Sequence, residues 1–179
     1  MFMIETRRLV LRDMQPSDEE AFVHLTQHQK YQRFYSETDC QPETYRDLHA
    51  RFIEQVNANP RVAYQLAVIC KQSEKCIGTV GLRLEDNHQA SIGCGLAVEA
   101  QGAGLMREAA VALANFGFEC LGVHRLYAET INDNLAATKL CRSLGMRQEA
   151  HFHQHRFFKE RWWDTVVYAI LRDEWEQGW

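Results

Sequence analysis

Gln101-Gly102-Ala103-Gly104-Leu105-Met106 is the stretch on which the fold turns. A strand-like segment, Ser91 to Val98, runs into it, and an amphipathic helix, Arg107 to Leu121, runs out of it. Glycine lets a backbone approach a ligand closely, and the first turn of a helix leaves its N–H groups without partners. Together they make an anion site suited to phosphate. Gly-x-Gly by itself is common in turns, and this one is not the dinucleotide fingerprint, because Arg107 stands where a third glycine belongs.

Working outward, Val62 to Cys70 and Cys76 to Leu84 are β-rich runs joined by a hairpin at Lys71 to Lys75. Asp86 to Gln89 then turns the chain into Ala90 to Val98. The central helix puts Leu105, Ala109, Ala112, Leu113, Phe116 and Cys120 on its core face, and Gly122 ends it. Arg125 to Ile131 reads as a strand, Leu135 to Leu144 as a helix capped by Asn132-Asp133-Asn134, and Arg147 to Phe158 with Trp162 to Leu171 as two closing strands. Upstream, Arg8 to Met14 alternates as a first strand. Ser17, with a capping-box spacing to Glu20, starts a helix, and a second runs from Pro42 to Asn57. The order β-α-α-β-β-β-α-β-α-β-β predicts one domain over residues 1–179, an α/β fold around one mixed sheet. The change from meander to β-α-β at the glycine turn places a ligand where the sheet splays.

Composition narrows the classes. Twenty basic against 24 acidic residues give a net charge of −4, so no global basic field for nucleic acid exists. No apolar run approaches the ~20 residues that span a bilayer, and Met1 to Arg8 has no apolar signal region. Cysteines 40, 70, 76, 94, 120 and 141 are scattered with no Cys-x-x-Cys pair, which suits a reduced, cytoplasmic protein and argues against structural zinc.

In register along nearly the whole chain, five pieces resemble the GCN5-related N-acetyltransferases, in their RimJ/RimL-like branch. They are Glu5 to Arg12 with Asp18; Ile77-Gly78 with Gly81-Leu82; Ile92-Gly93, Gln101 to Gly104 and Glu108-Ala109; His124 to Leu126 with Asn134 and Leu144 to Met146; and Phe157-Phe158 with Trp163-Asp164 and Val167-Tyr168. The resemblance implies a sheet splayed at the cofactor site with helices on both faces, and acetyl-coenzyme A as donor. N–H groups of Gly102, Ala103, Gly104, Leu105 and Met106 would hold its pyrophosphate, with Gln101 in the motif. The strand edge at Leu96 to Val98 would pair with the pantetheine arm and polarise the thioester. Asn134 would reach that arm or an ordered water, and Lys139 or Arg142 the adenosine phosphate. Three positions depart from the pattern: Met106 for a small residue, Ser91 for a Glu base and Ala137 for a Ser acid.

Thioester aminolysis needs a neutral amine, which a general base supplies. Glu85, Glu129 and Tyr127 are candidates from the strands, with a solvated carboxylate or packed tyrosine as the plain reading of each; an α-amine with pKa near ~8 also loses its proton to solvent. His151, His153 and His155 alternate, so a continuous strand puts all three on one face, and His153 is taken as a substrate or catalytic contact. With no complementary Cys, Asp or Glu cluster in sequence, no metal is expected. Arg7, Arg8 and Arg12 read as a solvated face, Cys94 as a buried structural thiol, and Trp175 and Trp179 as cover for an edge or a dimer contact. The acidic, Tyr-rich segment Gln27 to Asn57 is expected to wall the acceptor pocket. Expected, then, is acetyl transfer to a primary amine, a protein N-terminus or a small amine, by direct attack, in a possible homodimer. A non-catalytic acyl-coenzyme A binder is the alternative, suggested by Ser91 and Ala137.

Overall fold

The computed structural model describes residues 1–177, so the expectation for Trp179 lies outside the described residues. Eight strands form one mixed sheet in the order β1-β2-β3-β4-β5-β6-β8-β7. They are β1 (Met3–Glu5), β2 (Leu9–Asp13), β3 (Ala63–Cys70), β4 (Cys76–Glu85), β5 (Gln89–Leu96), β6 (Arg125–Ile131), β7 (Arg147–Phe158) and β8 (Arg161–Leu171). The helices are α1 (Glu19–Thr26), α2 (Gln29–Gln32), α3 (Pro42–Val56), α4 (Leu105–Cys120), α5 (Leu135–Ser143) and α6 (Arg172–Glu176). The sequence reading missed β1, α2 and α6, all of five residues or fewer, too short to show a period. No described helix is long and apolar enough to cross a membrane.

Alternation along the strands divides the helices between two faces. Leu9, Leu11, Val80, Leu82, Ala90, Leu126, Val166, Tyr168 and Ile170 form one core with α4, α5 and Trp175 of α6. Met14 and Ala67 point the other way, against Phe22, Tyr45 and Phe52 of α1 and α3. The α4 stripe is rotated from the expected one: Met106, Ala110 and Gly117 are buried with Ala109 and Leu113, whereas Cys120 is exposed. Gly117 lets the helix approach, since a Cβ there would meet Leu82 Cδ1 at 2.7 Å.

Two local expectations are corrected. Ser17 does not cap a helix through Glu20; Pro16–Asp18 form a single 3-10 turn, and the Asp18 carboxylate accepts the Gln15 N–H at 2.8 Å. The expected strand to Val98 stops at Leu96, because Val98–Ala100 tighten into another 3-10 turn. Trp175 is an internal prop: its Nε1 donates to Asn115 Oδ1 at 2.8 Å and its ring lies 5.5 Å from Phe118.

Candidate active site

β5 and β6 run parallel but pair over three rungs only, Gln89 with Arg125, Ala90 with Leu126 and Ser91 with Tyr127. Beyond that point β5 stays with β4 through Leu96, and β6 stays with β8 through Ile131. A wedge opens between them. Ala97 N–H donates to Ile77 O at 2.8 Å, on the β4 side, so by alternation the peptide groups of Leu96 and Cys94 face the wedge. Gln101 Nε2 reaches Leu96 O at 3.3 Å.

The glycine turn stands at the open end of this wedge. Gly102 and Gly104 have φ of 85° and 72°, a region where an L side chain is strained, and Gly104 is the residue from which α4 starts. Among the described residues, the N–H groups of Gly102 through Met106 donate to no protein acceptor, while Glu108 N–H takes up the helical ladder on Gly104 O at 3.2 Å. Met106 turns its side chain into the core, so its bulk stays out of the turn.

Arg8 braces this turn. Its Nη1 donates to Ala103 O at 2.9 Å, its Nε to Glu108 Oε2 at 2.7 Å and its backbone N–H to Glu108 Oε1 at 2.8 Å; Thr6 Oγ1 adds a bond to that oxygen at 2.6 Å. Partial burial works to raise the Glu108 carboxyl, but these donors outweigh it and hold it below the usual range. The solvated-arginine expectation is thus corrected for two residues, since Arg12 forks onto Asp18 at 2.6 and 2.8 Å. The missed signal was Glu108 itself, one turn into a helix whose start needs a fixed geometry.

Asn134 Oδ1 accepts the Ala137 N–H at 3.2 Å and so starts α5, beside the end of β6. Lys139 is exposed on the same helix, whereas Arg142 is committed to Tyr168 Oη at 2.9 Å.

The catalytic candidates fall on opposite faces. Ser91 and Tyr127 lie on the α1–α3 face at the vertex of the wedge, and Tyr127 Oη donates to both Glu85 oxygens, at 2.9 and 3.1 Å. Burial first, and then the Glu85 carboxylate, raise the Tyr127 phenol. Glu129 is on the same face, paired with Arg156 at 2.5 Å. His153 is on the other face with His151, both on Asp164 Oδ2 at 3.0 and 2.7 Å. The single histidine face is therefore corrected: Gln154 takes a φ of 49°, β7 bulges between Phe152 and Arg156, and His155 emerges on the α1–α3 side, bonded to Thr165 Oγ1 at 3.0 Å. The structure does not bring His153 together with Glu85.

Aromatic groups wall the α1–α3 side of the wedge. The β7–β8 hairpin folds onto α2: Trp163 stacks on Phe158, meets Phe34 edge-on, and Lys159 Nζ donates to Gln32 O at 2.6 Å. Tyr31 and Tyr35 stack at 5.6 Å, and a Cβ on Gly95 would lie 2.5 Å from Tyr31 Oη, so the glycine makes room for the ring against β5. Glu37, Asp39, Glu43, Asp47 and Glu54 are all exposed. Cys94 is corrected from a buried to an exposed position, although desolvation by the protein packed around it pushes its thiol up to about 12. It is no thiolate nucleophile at neutral pH.

Residues 8–147 match the acetyltransferase (GNAT) domain family. An uncharacterized N-acetyltransferase of Bacillus subtilis, YnaD, is 27% identical over 173 residues, 96% of this chain and 98% of that protein. The ribosomal-protein-S5-alanine acetyltransferase of Vibrio fischeri superposes with a TM-score of 0.80 at 22% identity, covering 98% of this chain and 99% of that one. RimL, a ribosomal L7/L12 α-N-protein acetyltransferase in complex with coenzyme A, gives 0.82 at 20% identity, covering 97% and 99%. The wedge and glycine turn thus sit in a fold shared with enzymes of that chemistry. The chain belongs to the GNAT acetyltransferase family, and it is an N-acetyltransferase.

Proposed function

We propose that this enzyme moves the acetyl group of acetyl-coenzyme A to the α-amine of a protein N-terminus by direct attack. The observation that carries the reading is the row of unpaired N–H groups from Gly102 to Met106 at the mouth of a wedge that begins at Ser91 and Tyr127. The pyrophosphate rests on that row, the pantetheine arm lies along the Leu96 edge, and Asn134 and Lys139 flank it from α5. With the donor entering from the α4–α5 side, the amine arrives from the α1–α3 side. There Glu85, through Tyr127 or a water, takes its proton, and a Cys94 or Leu96 N–H stabilises the tetrahedral oxyanion. The proton then balances the departing thiolate, and no covalent enzyme intermediate forms.

An N-terminal acceptor is favoured over a polyamine because the wall is largely aromatic, with the acids of the Gln27 to Asn57 segment exposed rather than lining it. The activities of the two ribosomal-protein neighbours support the same reading. Six free cysteines suit a cytoplasmic setting.

The test is thiol release from acetyl-coenzyme A against N-terminal peptides, polyamines, amino acids and aminoglycosides, with calorimetry of coenzyme binding. Release confined to peptides is expected. Release with polyamines alone would replace the acceptor, binding without release would favour an acyl-coenzyme A sensor, and no binding would sink the site.

A further inference from the structure

We propose that His151, His153 and Asp164 form a binding site for a divalent transition cation, zinc in first place. His151 and His153 are two apart on the edge strand β7, and Asp164 is on β8 beside them. One histidine ligand atom from each and a carboxylate oxygen all lie within 4.8 Å of one another. His151 Nε2 and His153 Nδ1 both point at Asp164 Oδ2, at 2.7 and 3.0 Å, and the rings lie 4.2 Å apart. Tetrahedral coordination with bonds of about 2 Å needs ligand atoms about 3.3 Å apart, so each nitrogen has to move away from Asp164 Oδ2 by about half an ångström or less, within the 4.8 Å that encloses all three atoms.

The surroundings hold the carboxylate in place. Gln154 N–H donates to Asp164 Oδ1 at 2.8 Å, leaving Oδ2 to the two imidazoles. That is the outer-shell hydrogen bond which fixes a carboxylate ligand. The Asp164 peptide oxygen accepts Asn132 N–H at 2.9 Å, so its backbone is anchored to the loop before α5. Two imidazoles and one carboxylate select zinc, nickel or copper over calcium and magnesium, which take oxygen ligands. The His153 side chain is 77% exposed, which leaves the remaining coordination positions to water. The sequence hides this set because the acid is supplied by the neighbouring strand. The site is on the α5 face, away from the Glu85–Tyr127 pair, and stands independently of the acetyl-transfer proposal.

The experiment titrates untagged protein with Zn²⁺ by calorimetry and with Co²⁺ by absorption, comparing the parent with His151→Ala and His153→Ala. His153 is a surface residue, so its replacement leaves the fold intact. Expected are about one equivalent bound, a Co²⁺ spectrum without a thiolate charge-transfer band, and about tenfold or greater weakening in either variant. Zn²⁺ should also raise the melting temperature of the parent reversibly to chelation, but not that of His153→Ala. Absence of saturable binding, binding unchanged in His153→Ala, or a thiolate band assigning the metal to cysteine would each overturn the site.

Discussion

Arg8 and Glu108, one hundred positions apart, meet through a 2.7 Å side-chain ion pair and a 2.8 Å bond from the Arg8 backbone. The same guanidinium grips Ala103 O, so the strand β2 end, the glycine turn and the first turn of α4 are fixed as one unit. Arg8→Ala should therefore raise KM for acetyl-coenzyme A about tenfold while costing stability about 1 kcal/mol, since the pair is half-exposed on the arginine side and Glu108 keeps its bonds from Thr6 and the Arg8 backbone. Steady-state kinetics and urea unfolding check the two halves. A stability loss with unchanged KM would make Arg8 a fold residue only.

Gly104→Val separates backbone strain from space. Only Arg8 Nη2, at 3.8 Å, is near a Cβ there, but φ is 72°. A β-branched residue costs about 1–2 kcal/mol in that region or shifts the turn. Coenzyme affinity should fall about tenfold or more by calorimetry, with a drop in melting temperature of a few degrees. Unchanged affinity would place the phosphate site elsewhere.

Gly95→Ala should damage the aromatic wall, because its Cβ would be 2.5 Å from Tyr31 Oη. A loss of about 1–3 kcal/mol is expected from overpacking. Tyr31→Phe removes the clashing oxygen and should restore part of the loss in the double variant. Additive losses in a double-mutant cycle would show that the two do not touch.

How far the sequence carried is explained by what each signal encodes. Helix α4 and the strands from Ala63 onward declared themselves through period and turn residues, and Gly102 and Gly104 through their conformational freedom. The partner of Arg8 did not, because Glu108 lies 100 positions away, and Arg12 and Asp18, although only six apart, are joined by no helix or strand period. His155 was misplaced for a different reason. The bulge at Gln154 puts a non-glycine residue at positive φ and breaks an alternation that the sequence shows as regular.

Asp18 supplies a pH test. Burial raises its carboxyl, but Arg12 and the Gln15 N–H outweigh burial and hold it below the ordinary value. A depressed carboxylate contributes stability above its unfolded pKa of about 3.9, and that contribution is lost as pH falls through the folded value. Asp18→Asn should thus cost about 3 kcal/mol at pH 7, as breaking a mostly buried ion pair does. Urea unfolding should find the gap to the parent narrowing below about pH 4. A pH-independent difference would assign the loss to packing.

Tyr127 and His153 discriminate the two faces as sources of the base. Tyr127→Phe and Glu85→Gln should each lower kcat about 10–100-fold with KM for acetyl-coenzyme A unchanged, because both sit at the vertex on the acceptor side. His153→Ala should leave kcat within about twofold, since its exposed imidazole lies on the other face of the sheet from Tyr127 and Glu85 and is bonded to Asp164. The pH profile adds a second reading. If Glu85 receives the proton, loss of Tyr127 or Glu85 should move the alkaline rise in kcat/KM toward the amine's own pKa near ~8. Parent-like profiles and rates in both variants would mean that the amine arrives already neutral from solvent, with the wedge contributing orientation and oxyanion stabilisation alone.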